Sequence, residues 1–435
     1  MKKNFRLLGI CLLGIMLTAC IAVTSVTQVP PTAPALQPTG TDFSPDEPVL
    51  LPTATAVPPT KTATPPTATL APGPAVPIYQ IHMLDQANGW GWTSLADGSS
   101  RILRTQDGGS TWTDVSPKGQ ALTPSSSSFL DIQTAWIALY DPAANTNLLL
   151  RTTDGGETWA SLPQNAIENA NYQFTSPNDG VAVSAGVGAG NLYLNLYNTH
   201  DGGASWAPIL ITAPTPEPGL AEGTVHLCNI CGDNLYYDPA RIVITYGDLA
   251  SDPAGAVRLS VSTDLGQHWK DLNLPLPDQK YADGLAAPKS PAFFGNEGVL
   301  PVNIVKYGTD NALAYSVLAI YVTHDGGQSW SQSAAILENN AAFFDSVQVL
   351  SPQNAFVRCG KNLCVTHDGA QTWLTLPASL DFDTNSSGSF VSQFQFIDPK
   401  TGWAVVPAPD GINYDLWKST DGGATWAKLA PTLAQ

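Results

Sequence analysis

The side chains able to do chemistry are few, and they are scattered along the chain. Four of the six cysteines form two local pairs, Cys228-x2-Cys231 and Cys359-x4-Cys364. Such pairs could close disulfides, hold zinc as a set of four thiolates, or cycle as a CxxC redox centre. The βαβ pattern that accompanies a thioredoxin-like CxxC is missing. Cys359 and Cys364 flank the turn GKNL inside a predicted hairpin, so two local disulfides are expected. Three of the six histidines, His200, His324 and His367, recur at one place in a repeated motif, which points to a role in a turn and away from a metal. The segment Asp381–Asn385 (DFDTN) opens like a calcium loop, but it lacks the glycine at the sixth position and has Ser392 at the twelfth. No metal and no cofactor are expected. A glycosidase needs two carboxylates facing one cleft. Glu222 and Glu297 lie in irregular stretches and are the candidates, but no spacing pairs them.

The elements that must position these groups announce themselves by repetition. The pattern [ST]-x-D-x-G-x-[ST]-W occurs seven times, with small departures. Its Asp and Trp are Asp107/Trp112, Asp154/Trp159, Asp201/Trp206, Asp264/Trp269, Asp325/Trp330, Asp368/Trp373 and Asp421/Trp426. With 29 Asp and 12 Trp in 435 residues, roughly one such pairing is expected by chance. The chemistry of the motif is structural. Its Asp can accept backbone N–H bonds within its own turn, Gly-Gly supplies positive φ, and the Trp is expected to begin the next strand and bury a large ring. Leu265 and His268 break the fourth copy and Ala370 replaces a glycine in the sixth, so distorted turns are expected there.

A weaker motif precedes six of the seven copies, as in LDQANGW (Leu84–Trp90), LDIQTAW (Leu130–Trp136), SPNDGV (Ser176–Val181), SPQNAF (Ser351–Phe356), IDPKTGW (Ile397–Trp403) and, more faintly, GNEGV (Gly295–Val299). Each is a turn between apolar, β-prone segments. Each repeat then reads as four strands, and seven repeats predict an all-β fold, a single seven-bladed β-propeller of four-stranded antiparallel blades. The blades divide as 78–120, 121–165, 166–215, 216–288, 289–339, 340–385 and 386–432. The last strand, near Trp426, belongs to its own blade, so closure by packing of the first blade against the last is expected. The fourth blade is the longest and least regular, and extra loops on a rigid scaffold are where function collects. Tyr236, Tyr237 and Arg241 in that blade, with Trp92, are the binding candidates; Trp92, Tyr236, Tyr237 and Trp417 are the rings that could stack on a sugar.

These boxes resemble the Asp-box (BNR) repeats of sialidases, sortilin-type receptors and some glucanases. The pairing of a G-W-A-V strand with a T-x-D-G-G-x-x-W hairpin looks most like the propellers of the photosystem II assembly and stability factor family. The resemblance spans roughly residues 79–430. It implies the propeller fold, with Asp boxes on outer hairpins away from the ligand-binding face. A sialidase would further need an arginine triad, a Tyr/Glu pair and an acid. The domain has Arg101, Arg104, Arg151, Arg241, Arg258 and Arg358. Arg104 and Arg151 directly precede boxes, and the FRIP-like motif of sialidases is missing.

Residues 1–20 read as an address. Lys2, Lys3 and Arg6 precede the apolar run Leu7–Leu17, and Leu17-Thr18-Ala19-Cys20 looks like a bacterial lipobox. The expectation is a lipoprotein signal peptide over 1–19, lipidation at Cys20 and an extracytoplasmic protein held by a lipid anchor at a bacterial membrane. A Pro/Thr-rich linker over 20–77 follows, with 14 prolines and 12 threonines between Val23 and Pro77. Such a segment is expected to stay extended and disordered, reaching at most ~150 Å at ~3.1 Å per residue. The propeller occupies 78–432.

The charge excludes some partners. Against 36 acids stand 19 bases, a net −17. Nucleic-acid binding needs basic surface and is not expected. The reading is a monomeric, non-catalytic propeller that binds a protein partner or assembles a complex. A carbohydrate-binding or sialidase-like hydrolytic propeller is the alternative, and a photosystem II assembly factor a further one if the host is photosynthetic.

Overall fold

A computed structural model describes residues 73–434 except 95–98, 119–123, 142–145, 163–166, 168–169, 189–190, 212–234, 248–254, 310–311, 334, 340–343, 345, 378, 384–388 and 411–412. Cys20, the stretch 1–72, Glu222, Cys228 and Cys231 lie outside the described residues. Seven antiparallel sheets of at least four strands follow one another along the chain, and a three-residue 3₁₀ turn, Gln279–Tyr281, stands apart from them. In blade one, Gln80–Met83, Gly89–Ser94, Ser100–Thr105 and Thr111–Asp114 pair in sequence order. The other blades open on Pro124–Phe129, Ala170–Phe174, Leu235–Asp238, Leu285–Pro288, Val347–Val349 and Gln393–Phe396. Blade five carries two additional short strands, Ala292–Phe294 and Leu337–Asn339. Leu285–Pro288 is its first strand, so the boundary with blade four falls before residue 285 and not after 288.

The seven boxes close on one hydrogen-bond plan. In the first, Thr105 Oγ1 donates to Asp107 Oδ1 at 3.0 Å, Gly109 N–H donates to Thr105 Oγ1 at 3.0 Å, Thr111 N–H donates to Asp107 Oδ1 at 2.9 Å, and Thr111 Oγ1 donates to Asp107 Oδ2 at 2.7 Å. Both glycines have positive φ, 75° and 97°. The two irregular boxes keep this plan. Gly266 N–H donates to Ser262 Oγ at 2.8 Å, and His268 Nδ1 takes the place of the usual hydroxyl, 2.6 Å from Asp264 Oδ2. Ala370 N–H donates to Thr366 Oγ1 at 2.9 Å. These turns are therefore not distorted. The departure is stored in the backbone, with Leu265 at φ 58° and Ala370 at φ 60°. A residue with a β-carbon loses roughly 1–2 kcal/mol in that region. Replacing Ala370 by glycine should stabilise the protein by roughly 0.5–1 kcal/mol in thermal unfolding, after the larger unfolded-state entropy of glycine is offset. Leu265→Gly should gain less, because Leu265 packs against the core at the seam of blades three and four.

The tryptophans of the boxes correct the sequence reading. Only Trp112 lies inside its strand with its ring fully buried. Trp159, Trp206, Trp269, Trp330 and Trp373 are not buried but half-buried, and each stands one residue ahead of its blade's last strand. The reason is position. The last strand of a blade is the edge of its sheet. A ring there can lay one face on the core while the other stays open to water. Trp159 packs on the core shared by blades one and two and donates Nε1–H to Val115 C=O at 2.7 Å; Trp206, Trp269, Trp330 and Trp373 rest on the margins of four further clusters. Trp269 and Trp330 also close on their own boxes, donating to Gly266 and Gly327 C=O at 3.1 and 2.9 Å. The two buried box rings have extra cover. The chain end Thr432–Leu433 pairs alongside Trp112, and Phe382 and Phe396 flank Trp426 at 6.2 and 5.8 Å between ring centroids.

The boxes also titrate as a set. Hydrogen bonds from neighbouring hydroxyls and backbone N–H groups hold the carboxyls of Asp154, Asp201, Asp325 and Asp368 at about 2, against an ordinary 3.8. Bonds from the His268 backbone and imidazole do the same for Asp264. A depressed carboxyl stabilises the fold above its unfolded pKa and loses that contribution as pH falls through its folded one. The Tm should thus hold steady down to about pH 4 and fall progressively toward pH 2. A variant with Asp154→Asn and Asp325→Asn should show a flatter fall over the same window.

Neighbouring blades are joined by the same motifs. Trp136 and Trp403, fully buried on second strands, donate Nε1–H to the box carbonyls of the next blade, Gly202 and Gly108, each at 2.9 Å. Arg151 and Lys418 lie over those two rings at 5.0 and 4.7 Å. The second glycine of a box packs on the preceding blade; a β-carbon at Gly156 would stand 2.6 Å from Val115 Cβ. The weaker motif docks on the box of its own blade, as where Gly108 N–H donates to Ala87 C=O and Gly422 N–H donates to Lys400 C=O, both at 2.8 Å. Blade four has this turn too, at Asp238-Pro-Ala-Arg241, with Ala240 and Arg241 N–H donating to Asp238 Oδ1 at 2.7 and 2.9 Å.

Closure is more than packing. The strand at Ala427–Lys428 does pair within blade seven, but the chain continues, and Thr432–Leu433 pairs in parallel with Thr111–Trp112 of blade one. Ala75 bridges Thr432, and Val76 and Ile78 are buried beside Leu433. Residues 73–77, read from sequence as the end of the linker, thus belong to the closing seam.

Candidate functional site

A cavity of about 570 Å³ lies among the first strands of blades one, two, three, four and seven. Gln80, Asn171, Leu235 and Gln393 line it near the starts of those strands, with Trp92, which pairs with Gln80, and Ser127, Phe129, Gln173 and Phe174. The boxes begin at the other ends of the blades, where Met83 pairs with Gly89 and Gly89 with Thr105. The cavity thus runs along the first strands, from the ends away from the boxes, at Gln80, Asn171, Leu235 and Gln393, to Phe129 and Phe174, which pair with Ala135 and Gly180 beside the boxes.

The first strands of blades one, three and seven alternate buried apolar residues with polar ones. In blade seven Phe394 and Phe396 are buried, and Gln393 and Gln395 reach across to blade one. Ile81 N–H donates to Gln393 Oε1 at 2.9 Å, and Gln393 Nε2 donates back to Ile81 C=O at 2.8 Å. Gln395 holds Met83 in the same way at 2.7 and 2.8 Å. Gln348 of blade six clamps Phe396 by both groups at 2.7 Å. Ser126 and Ser128 accept from Tyr172 and Phe174 N–H, each at 3.0 Å. An edge strand with open N–H and C=O groups needs such partners, and the side-chain amides supply them. His82 lies against Phe129, 5.5 Å between rings, with a bond to its backbone. Enclosure by protein lowers the His82 pKa even though its ring faces the channel water.

No described lining residue of this cavity is a carboxylate. Glu297 lines a different cavity, about 430 Å³, on the box side between blades five and six, with His324 and Asp368. Both carboxylates there are committed. Glu297 Oε2 is 2.6 Å from His324 Nδ1, and Asp368 accepts from Thr366 Oγ1 and Thr372 Oγ1 at 2.8 and 2.6 Å. His200 and His367 make the same kind of turn contact, with Asp179 and Asn354, each at 2.8 Å. A Tyr/Glu pair invisible in the sequence does form, with Tyr281 donating to Glu338, but burial raises the Tyr281 pKa, the opposite of activation for attack.

Of the four binding candidates, Trp92 alone touches the cavity, and it is only 2% exposed. The other three take packing positions. Tyr237 is buried in the seam of blades three and four. Tyr236 donates to Asp238 at 2.9 Å and packs on Phe293 of blade five, and Arg241 is buried over the same ring at 4.5 Å. Trp417 is half-buried in the core at blades six and seven. Cys359 and Cys364 are joined in a disulfide across their hairpin, Cα atoms 5.9 Å apart. The cavity-lining residues Gln80, Asn171, Gln173 and Gln393 were not singled out from the sequence. The only signal was polar residues alternating with apolar ones in QIHM, ANYQF and QFQF.

Seven four-stranded blades, each closed by the same Asp-centred turn, define an Asp-box β-propeller. The BNR/Asp-box repeat model matches residues 321–332, across the fifth box. No curated relative matches the sequence significantly. Among solved structures, the chain is similar to YCF48 bound to D1 peptide at 17% identity, covering 82% of this chain and 99% of that one, TM-score 0.48. It is also similar to a PL25 polysaccharide (ulvan) lyase at 11% identity, with 84% and 97% covered, TM-score 0.46. A third is a Penicillium chrysogenum α-L-arabinanase complexed with arabinobiose, at 11% identity, 81% and 98% covered, TM-score 0.38. At these values the likenesses assign no activity.

Proposed function

We propose that this protein is a non-catalytic binding propeller, lipid-anchored through Cys20 outside the cytoplasm, whose channel among the first strands docks a protein partner. The observation that carries this reading is the cavity among the first strands, whose described lining consists of neutral amides, hydroxyls, aliphatic and aromatic groups and one imidazole. Such walls offer hydrogen bonds and apolar contact. They supply neither the facing carboxylate pair that glycoside hydrolysis uses nor a nucleophile with a base beside it. The acidic balance of the chain, −17, further favours a partner that is neutral or basic where it meets the propeller.

The test is turnover. The purified protein, incubated with a panel of arabinans, xyloglucans, ulvan and sialylated glycans, should release no reducing ends and no unsaturated product. Release that Glu297→Gln abolishes would overturn the reading.

A further inference from the structure

Three seams around the channel carry amide or hydroxyl clamps, namely blade six to seven, seven to one, and two to three. Blade one reaches blade two through His82 and Phe129. Blade three has residues of the same chemistry in the same alternation. Asn171 and Gln173 are exposed between buried Ala170, Tyr172 and Phe174, as Gln393 and Gln395 flank Phe394 before buried Phe396. Yet neither side-chain amide has a hydrogen-bond partner among the described residues. Both line the 570 Å³ cavity with Leu235, the first residue of blade four, and with Gln80, whose amide is likewise unpartnered among the described residues.

We propose that the seam between blades three and four is a main-chain recognition site, in which Asn171 and Gln173 clamp the backbone of an extended, uncharged peptide segment of the partner protein. This rests on the binding reading above. A primary amide carries one donor side and one acceptor side, and so matches the N–H and C=O of a single peptide residue. The molecule shows that match at Ile81, Met83 and Phe396, each held by one glutamine. The next amides in the same pattern have no partner among the described residues and line the cavity, with Trp92, Phe129 and Phe174 available to the guest's apolar side chains. A carbohydrate would meet the same amides through hydroxyls, so the experiment must separate main-chain from hydroxyl recognition.

Random nonapeptides displayed on phage are panned against the full chain, and an enriched peptide is synthesised in three forms: unmodified, and N-methylated at alternate residues in either register. One methylated register should weaken binding at least about tenfold, the loss of one or two backbone donors. The double variant Asn171→Ala/Gln173→Ala should weaken the unmodified peptide by a similar factor. Its Tm should not change, because these side chains hold no other described residue. Gln371→Ala, on the box side, should bind normally. An enriched peptide indifferent both to methylation and to the double variant would overturn this site while leaving protein binding intact. Enrichment of no peptide, together with a Tm rise from the glycan panel, would overturn the site and the binding reading alike.

Discussion

Replacing Trp403 by alanine lowers the stability of the ring by about 3–5 kcal/mol, the range for removing a fully buried large aromatic side chain. The size follows from its place. The ring is 0% exposed, on the second strand of blade seven, and its indole N–H donates to Gly108 C=O in the first box of blade one. Lys418 covers it at 4.7 Å. Alanine therefore empties the core at the seam where the chain closes on itself, and also orphans a carbonyl. Trp403→Phe separates the two contributions. It keeps most of the apolar volume and loses the hydrogen bond, for about 1–2 kcal/mol. Thermal or urea unfolding of the two variants checks both values. Equal losses would mean that the hydrogen bond, and not the packing, holds the seam.

The second large effect belongs to the channel side of the same seam. The double variant Gln393→Ala/Gln395→Ala removes four hydrogen bonds between blades seven and one. At roughly 1 kcal/mol each the loss is about 4 kcal/mol, and channel water taking up the freed Ile81 and Met83 groups keeps it from rising further. Gln395→Glu is the informative control. A carboxylate still accepts from Met83 N–H but can no longer donate to Met83 C=O, so it should recover part of the loss. Hydrogen exchange at Ile81 and Met83 reads the same event locally: both amides should exchange faster in the double variant, and amides of blade four should be unaffected. Uniform acceleration around the ring would instead show that opening this seam unfolds the whole propeller.

Repetition made the fold legible. The box repeats Asp, Gly and Trp at fixed offsets, and each is there for a local reason that survives translation into structure: acceptor, positive φ, a ring laid on the core. How deep each ring sits was not legible. Trp112 and Trp159 occupy the same place in the motif, yet one is buried and the other half-buried, because only the first is overlaid by the chain end. The turn before the box was legible where a glycine or an aromatic ring followed it. The fourth copy, Asp238-Pro-Ala-Arg241, lacks both and was missed, although Asp398-Pro-Lys-Thr401 carries the same Asp-Pro start. Closure was hidden for a different reason. Thr432–Leu433 is too short to show any period, and its partner Thr111–Trp112 is some 320 residues away. The site was hardly legible at all. Aromatic type singled out Tyr236, Tyr237 and Trp92, but type does not say which face of a strand a ring occupies, and seams between blades consume aromatics. The channel residues are glutamines, asparagines and serines, whose role depends on where a neighbouring blade puts its open edge. That is a property of the closed ring, which no local window of sequence contains.

The most direct test of the binding face is site-specific photo-crosslinking of the full-length protein in its native membrane. A photoreactive residue at position 173 faces the channel cavity, and one at position 157 stands on the exposed tip of the second box. One discrete protein adduct is expected from position 173, present at near-equal amounts with the bait, and none from position 157. An adduct from position 157 alone would overturn protein docking in the channel, as would a channel that cross-links only glycan.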